Sequence, residues 1–317
     1  MTIVLTGSVA YDYLMTFPGR FRDHILPDHL DRISLSFLVD SMVRRRGGIA
    51  ANIAYTLALL GERPTMMATV GEDFQEYRQW LEAQGIDTSA VRDIPGLFTA
   101  SFFVNTDQTN AQIASFYTGA MARAGELRFA DLPRRPELAM ISANDPGAMQ
   151  AYVRECRELG IPYFYDPSQQ VVRLDRDALR EGIESSRGVF VNDYEFSLIC
   201  QKTGLDLAAV RRATGVLVVT CGEHGADLYT PNGEVHIPAV PPVRVADPTG
   251  VGDAFRGGFL KGYLHGVNLE RCGQMGALAA TYCLENFGTQ GHRFSLTEFV
   301  ARFRQNFDDR GELGRLL

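Results

Sequence analysis

Residues 243–258 read VRVADPTGVGDAFRGG. Apolar β-branched residues lead into this stretch and a helix-like pattern leads out. Between them stand two aspartates, a proline and the first of five glycines: Gly250, Gly252, Gly257, Gly258 and Gly262. Glycine inside a helix costs about 0.5–1 kcal/mol relative to alanine, so a cluster at a helix start answers some demand other than helix stability. A strand-to-helix junction rich in glycine lets backbone N–H groups approach an anion closely, and the helix dipole adds favourable charge. Asp253, in the first helical turn, would repel a phosphate. It makes chemical sense as the base that takes a proton from an alcohol attacking that phosphate. A plain helix cap by Thr249 or Asp247 needs one polar residue, not G-x-G-D followed by two more glycines. No GxxxxGK[ST] occurs, so the phosphates would be held without a P-loop lysine, and the dinucleotide GxGxxG belongs after a first strand instead.

Outward from this stretch, strands and helices alternate. Residues 2–7, 65–71, 138–142, 162–166, 188–192 and 215–220 read as apolar strands. Residues 47–61, 74–85 and 147–160 read as helices from their 3.6-residue apolar spacing, and another helix follows 192. That rhythm predicts an α/β fold: a Rossmann-type three-layer arrangement around a mostly parallel sheet covered on both faces. Two segments break it. Residues 14–46 are rich in turn formers, and 98–117 alternate like a hairpin whose turn is NTDQTN (105–110). The expectation is a large α/β domain from 1–13, 47–97 and 118–317, with a small β lid from 14–46 and 98–117.

Composition narrows the function classes. The 317 residues are 45% hydrophobic and 22% charged with net charge −7, an ordinary globular balance. Arg44-Arg45-Arg46 is the only basic cluster, too small for a nucleic-acid footprint, and reads as a solvated loop edge. The five cysteines are scattered without metal-ligand spacing, which fits a reducing compartment. No stretch reaches the ~18 apolar residues of a membrane span, and the first residues lack a signal-peptide pattern. A cytoplasmic enzyme with neither nucleic-acid nor membrane partners is expected.

ADPTGVGDAFRGG (246–258), together with GGIAAN (47–52), resembles the paired glycine motifs of the ribokinase-type (PfkB) sugar and nucleoside kinases, and the strand–helix order is similar over nearly the full length. The resemblance implies a ribokinase-like fold with a β lid and ATP-dependent phosphorylation of a hydroxymethyl group. It implies an anion hole at Gly250, Val251 and Gly252, with Asp253 as base. Asp12, Gly48 and Asn52 would bind sugar hydroxyls. Asn192 and Glu195 match the N-x-x-E motif that organises magnesium and phosphates, although the same pair also reads as a capping box. Asp166 would assist Glu195 at the magnesium ion, both through water. Thr220, Gly222, Gly225 and Thr249 would hold the nucleotide.

Arg256 stands where many sugar kinases of the family have a small residue. It is placed with the phosphate contacts, the alternative being a surface ion pair with Asp253. SFLV (36–39), QIASFYTGAM (112–121) and VNDYE (191–195) are similar to the prokaryotic adenosine and nucleoside kinases. Phe37, Phe102 and Phe116 could then stack on a base or simply pack within the lid, and Gln112 could bridge the lid and the substrate. Adenosine is the favoured substrate, with ribose, fructose or a sugar phosphate as the alternative. A catalytically silent nucleotide-binding regulator is opposed by the intact Asp253. A monovalent cation could act through the Asp247–Thr249 loop, and the chain would be a monomer or a dimer paired through its lid.

Overall fold

The computed structural model describes residues 2–26, 31–32 and 34–317. Part of the expected lid span, 27–30 with His29, and 33, lies outside the described residues. The strands are β1 (Ile3–Thr6), β2 (Ala10–Thr16), β3 (Ser41–Gly47), β4 (Thr65–Val70), β5 (Asp87–Asp93), β6 (Ala100–Thr106), β7 (Gln112–Tyr117), β8 (Leu138–Ser142), β9 (Tyr163–Asp166), β10 (Gly188–Asn192), β11 (Leu217–Thr220), β12 (Ala226–Thr230) and β13 (Gly233–Ile237). The helices are α1 (Ile49–Leu59), α2 (Gln75–Ala83), α3 (Pro146–Leu159), α4 (Arg176–Glu184), α5 (Asp193–Thr203), α6 (Leu207–Ala213), α7 (Val251–Leu264), α8 (Leu269–Leu284) and α9 (Leu296–Asn306).

Nine strands form the larger sheet in the order β13-β12-β11-β10-β9-β8-β1-β4-β5. From β11 to β5 every pairing is parallel, and the β12–β13 hairpin adds antiparallel strands at one edge. Successive side chains of a strand face opposite ways, and here both ways are buried. Ile3, Leu5, Leu138, Met140, Phe164, Phe190 and Val218 pack into one core with α1, α2, α7, α8 and α9. The intervening Val4, Ala139, Ile141, Tyr163, Tyr165, Val189, Val191, Leu217 and Val219 pack into a second core with α3, α4, α5 and α6. This is a three-layer α/β arrangement with helices on both faces of the sheet.

The second sheet has the order β3-β2-β6-β7. Its hairpin turn is fixed by Asp107, whose Oδ1 accepts from the N–H groups of Thr109 (2.7 Å) and Ala111 (3.0 Å). Two sequence expectations shift here. Ala10–Tyr13, grouped above with the large domain, belong to β2 of this sheet. The Arg44-Arg45-Arg46 run is not a loop edge but lies within β3. Arg44 and Arg46 meet Glu76 at 2.6 and 3.6 Å, and Arg46 covers the Trp80 ring at 4.7 Å.

Three of the five glycines prove to serve packing. A Cβ on Gly257 would lie 2.7 Å from Thr56 of α1. One on Gly258 would collide with the Met275 carbonyl, and one on Gly262 would meet Cys272 Sγ at 2.9 Å, both on α8. α7 is thus wedged between two helices whose backbones approach too closely for side chains.

Candidate active site

The parallel strands set the site's position. Asp166, Asn192 and Thr220 end β9, β10 and β11, and Asn192 and Thr220 are register partners. In such sheets ligands gather at the carboxyl ends of the strands. Gly250 takes φ 80°, a left-handed turn in which glycine is the residue without strain. The first i→i−4 bond of α7 runs from Ala254 N–H to Gly250 O (2.9 Å). The N–H groups of Val251, Gly252 and Asp253 therefore have no acceptor within the helix. Gly252 has ordinary helical backbone, and its missing Cβ would meet only the guanidinium end of Arg256, at 2.8 Å.

Asp253 sits at the edge of this turn with its side chain 14% exposed. Its Oδ2 accepts from Asn52 Nδ2 at 2.8 Å. Burial pushes its carboxyl up to about 6, against the pull of Arg256 and the Asn52 hydrogen bond, while Asp166 and Glu195 push the same way as burial. A carboxylate poised there is matched to accept a proton near neutral pH.

Arg256 is not on the surface; its guanidinium end lies against Gly252 of the turn. It is buried, its Nη2 donates to Asp166 Oδ1 at 2.6 Å, and its Nη1 lies 4.0 Å from Asp253 Oδ1. The physical reason is charge balance: Asp166 is fully buried, and an unpaired carboxylate there would be costly. Arg256 is thus the buried counter-ion of Asp166, with its guanidinium end beside the turn where a phosphate contact is expected.

That pairing also bears on magnesium. Glu195 and Asn192 do form the capping box: Asn192 Oδ1 accepts from Glu195 N–H (2.7 Å), and Glu195 Oε2 from Asn192 N–H (2.9 Å). Burial raises both the Glu195 and the Asp166 carboxyls, and the two repel each other. Asp166 Oδ2 is buried without a hydrogen-bond partner. Among the described residues no three His, Cys, Asp or Glu side chains converge as a metal-ligand set. Two hard oxygen groups without a third fit a magnesium ion through its water shell, since the ion keeps several waters.

The glycines of GGIAAN make room on the other side. A Cβ on Gly47 would lie 2.6 Å from Asp12 Oδ2, and one on Gly48, at φ 96°, would lie 2.5 Å from the Ser8 carbonyl. Asp12 lies within β2. The register places Arg45, Asp12, Phe102 and Phe116 in one row across the smaller sheet. Burial lifts Asp12 to about 6 against the pull of Arg45. Phe116 is 47% exposed. Phe37 is not in this row; it packs edge-on against Phe17 and Phe21, ring centroids 5.0 and 4.9 Å away. Gln112 is four residues, about 13 Å, along β7 from Phe116 and donates to Thr106 Oγ1 at 3.3 Å.

Gly222 and Gly225 frame the turn after β11 at φ 59° and 90°, and a Cβ on Gly225 would strike the Ile237 carbonyl. Thr220 Oγ1 donates to Val191 O at 3.4 Å. Thr249 N–H donates to Asp247 Oδ1 at 3.0 Å, while Asp247 Oδ2 accepts from Arg45 Nη1 and Gly288 N–H, each at 2.9 Å. Sequence reasoning missed Asp247's link to Arg45, as well as Tyr77 and Gln290. Gln290 Nε2 donates to Asn52 Oδ1 at 2.8 Å and to Tyr77 Oη at 2.5 Å.

The left-handed turn at Gly250, the largely buried Asp253 beside it and Asp12 on the smaller sheet are the arrangement expected of a phosphotransferase with an alcohol group as acceptor. The chain belongs to the pfkB family of carbohydrate kinases, which matches residues 7–293. It is 31% identical over 308 residues to a nucleoside kinase of Methanothermobacter thermautotrophicus, covering 95% of each chain. It is 28% identical to a cytidine kinase of Thermococcus kodakarensis, covering 84% of this chain and 97% of the relative. Among solved structures, the nucleoside kinase of Burkholderia thailandensis in complex with inosine superposes with TM-score 0.86 at 38% identity, covering 96% of this chain and 98% of that one.

Proposed function

We propose that this protein phosphorylates the 5′-hydroxymethyl group of a nucleoside with ATP, adenosine being the favoured acceptor, and that Asp253 is the general base. The observation that carries the reading is Asp253 itself: a carboxylate held by Asn52 at the mouth of an anion turn. The kinship with nucleoside kinases, one of them seen with inosine, supports a nucleoside over a free sugar.

In this reaction the nucleoside's 5′-oxygen attacks the γ-phosphorus of ATP and the oxygen–phosphorus bond to ADP breaks. The hydroxyl proton goes to Asp253. The N–H groups of Val251, Gly252 and Asp253 receive the charge gathering on the transferred phosphoryl oxygens. Asp12 accepts from ribose hydroxyls, which suits a carboxylate with two acceptor oxygens; Asn52, expected as another hydroxyl contact, has its Nδ2 on Asp253 and its Oδ1 on Gln290 and keeps Asp253 aimed. Phe116 and Phe102, in the same row as Asp12, offer ring faces to the base. Thr220, Gly222 and Gly225 line the nucleotide side, and Thr249 flanks the phosphates. Magnesium, held through water by Glu195 and Asp166, would neutralise phosphate charge.

Stacking on an aromatic ring contributes roughly 1–3 kcal/mol per base in nucleic-acid sites, energy that a free sugar cannot supply. Coupled ADP-release assays across adenosine, inosine, cytidine, ribose, fructose and fructose 6-phosphate test the reading. Adenosine should give a much higher kcat/KM than either sugar, and Asp12→Ala should shrink the preference for adenosine over its 2′,3′-dideoxy analogue. Faster turnover of ribose or fructose 6-phosphate than of every nucleoside would overturn it.

A further inference from the structure

We infer that Gln290 is a positioning residue for phosphoryl transfer: it fixes which end of the Asn52 carboxamide faces Asp253. The inference rests on the reading of Asp253 as base. It begins with Tyr77, which is completely buried and whose hydroxyl donates its single proton to the Gly47 carbonyl at 3.0 Å. Towards Gln290 the Tyr77 oxygen can therefore only accept, so Gln290 must present its amide nitrogen. That same Nε2 reaches Asn52 Oδ1 at 2.8 Å. With its oxygen engaged, Asn52 has only Nδ2 left for Asp253, and it donates to Oδ2 at 2.8 Å.

The order of donors thus runs one way from a buried phenol to the base. Reversing the Asn52 amide would set its oxygen against the carboxylate and raise the proton affinity of Asp253. Gln290 itself is buried, and its Oε1 has no hydrogen-bond partner. A buried amide left half-satisfied is costly, and here the cost accompanies a defined direction of hydrogen bonding next to the reacting group. The chain also anchors the acceptor side. Tyr77 grips the carbonyl of Gly47, the glycine against which Asp12 is packed.

The test is the acid limb of the kcat profile in two uncharged variants, Gln290→Met and Gln290→Leu, neither of which can donate. In both, kcat should fall, and the limb should move about one pH unit towards neutral. The Asn52→Ala background should abolish any further movement from Gln290→Met. A limb position does not depend on how much of a sample is folded, so a merely structural role would lower the amplitude and leave the limb in place. An unmoved limb in both variants overturns the inference. Asp253→Asn separates the two readings: if it keeps near-normal kcat, the base assignment fails; if it is inactive while the Gln290 limbs stay put, only the role of Gln290 fails.

Discussion

At the scale of single residues, the site is built from carboxylates that folding holds against their preference. Burial raises both Asp253 and Asp12 to about 6. With folded values above the unfolded ones, their contribution to stability is complete below the unfolded values near 4 and is lost as pH rises through about 6. Chemistry has the opposite sign, since a base must be ionised to accept a proton. Activity should therefore fall as pH drops below about 6, while the same two groups favour the folded state most under acid conditions. Asp253→Asn should lower kcat by roughly 10²–10⁴-fold, and its melting temperature at pH 8 should equal or exceed that of the parent protein. Steady-state kinetics and a thermal melt on one sample check both halves; a near-normal kcat removes Asp253 from the mechanism.

At the scale of elements, α7 does two jobs with one glycine run, and substitution separates them. Gly258→Ala would raise intrinsic helix propensity by about 1 kcal/mol in isolation. Here its Cβ meets the Met275 carbonyl of α8, so overpacking of about 1–3 kcal/mol should dominate. The expected outcome is a lower melting temperature, measured calorimetrically, with kcat retained at low temperature. Gly252→Val should do the reverse: a folded protein, nearly inactive, because a branched side chain would push on the Arg256 guanidinium and crowd the turn whose N–H groups are to meet a phosphoryl oxygen. Full activity with an unchanged melting temperature would remove Gly252 from the anion turn. The opening stretch revealed that glycine was needed but not which glycine served which purpose. Gly257 and Gly258 clear the way for Thr56 and Met275, which are remote in the chain. The parallel strands were legible because both of their faces are apolar. β5, with exposed Ser89 and Arg92, and the half-exposed β13 were not. Asn52 and Asp253 could be found through their motifs. Gln290 could not, because its partners lie 213 and 238 residues away and no local pattern marks it.

Across the whole molecule, the Arg45–Asp247 pair at 2.9 Å joins the smaller sheet to the segment that leads into the Gly250 turn. Arg45 comes from β3 of the smaller sheet, in the same row as Asp12 and Phe116. Asp247 stands three residues before Gly250. Arg45→Ala should leave the fold intact, because the ion pair is partly exposed and such pairs are worth little to stability. It should raise KM for both substrates, read from initial rates over a grid of nucleoside and ATP concentrations. A change confined to one substrate would show that the pair serves only its own side of the cleft.

Asp247 has a consequence for how the two substrates meet. One carboxylate answers to the smaller sheet through Arg45, to the anion turn through Thr249 N–H, and to the segment before Gln290 through Gly288 N–H. The expected outcome is that a nucleoside bound beside Arg45 tightens ATP at the turn. Thermodynamic reciprocity then requires ATP to tighten the nucleoside by the same factor. Titration calorimetry with a non-hydrolysable ATP analogue, with and without nucleoside, measures that factor, and Arg45→Ala should bring it towards one. With such coupling, ATP should be hydrolysed only slowly until a nucleoside is bound.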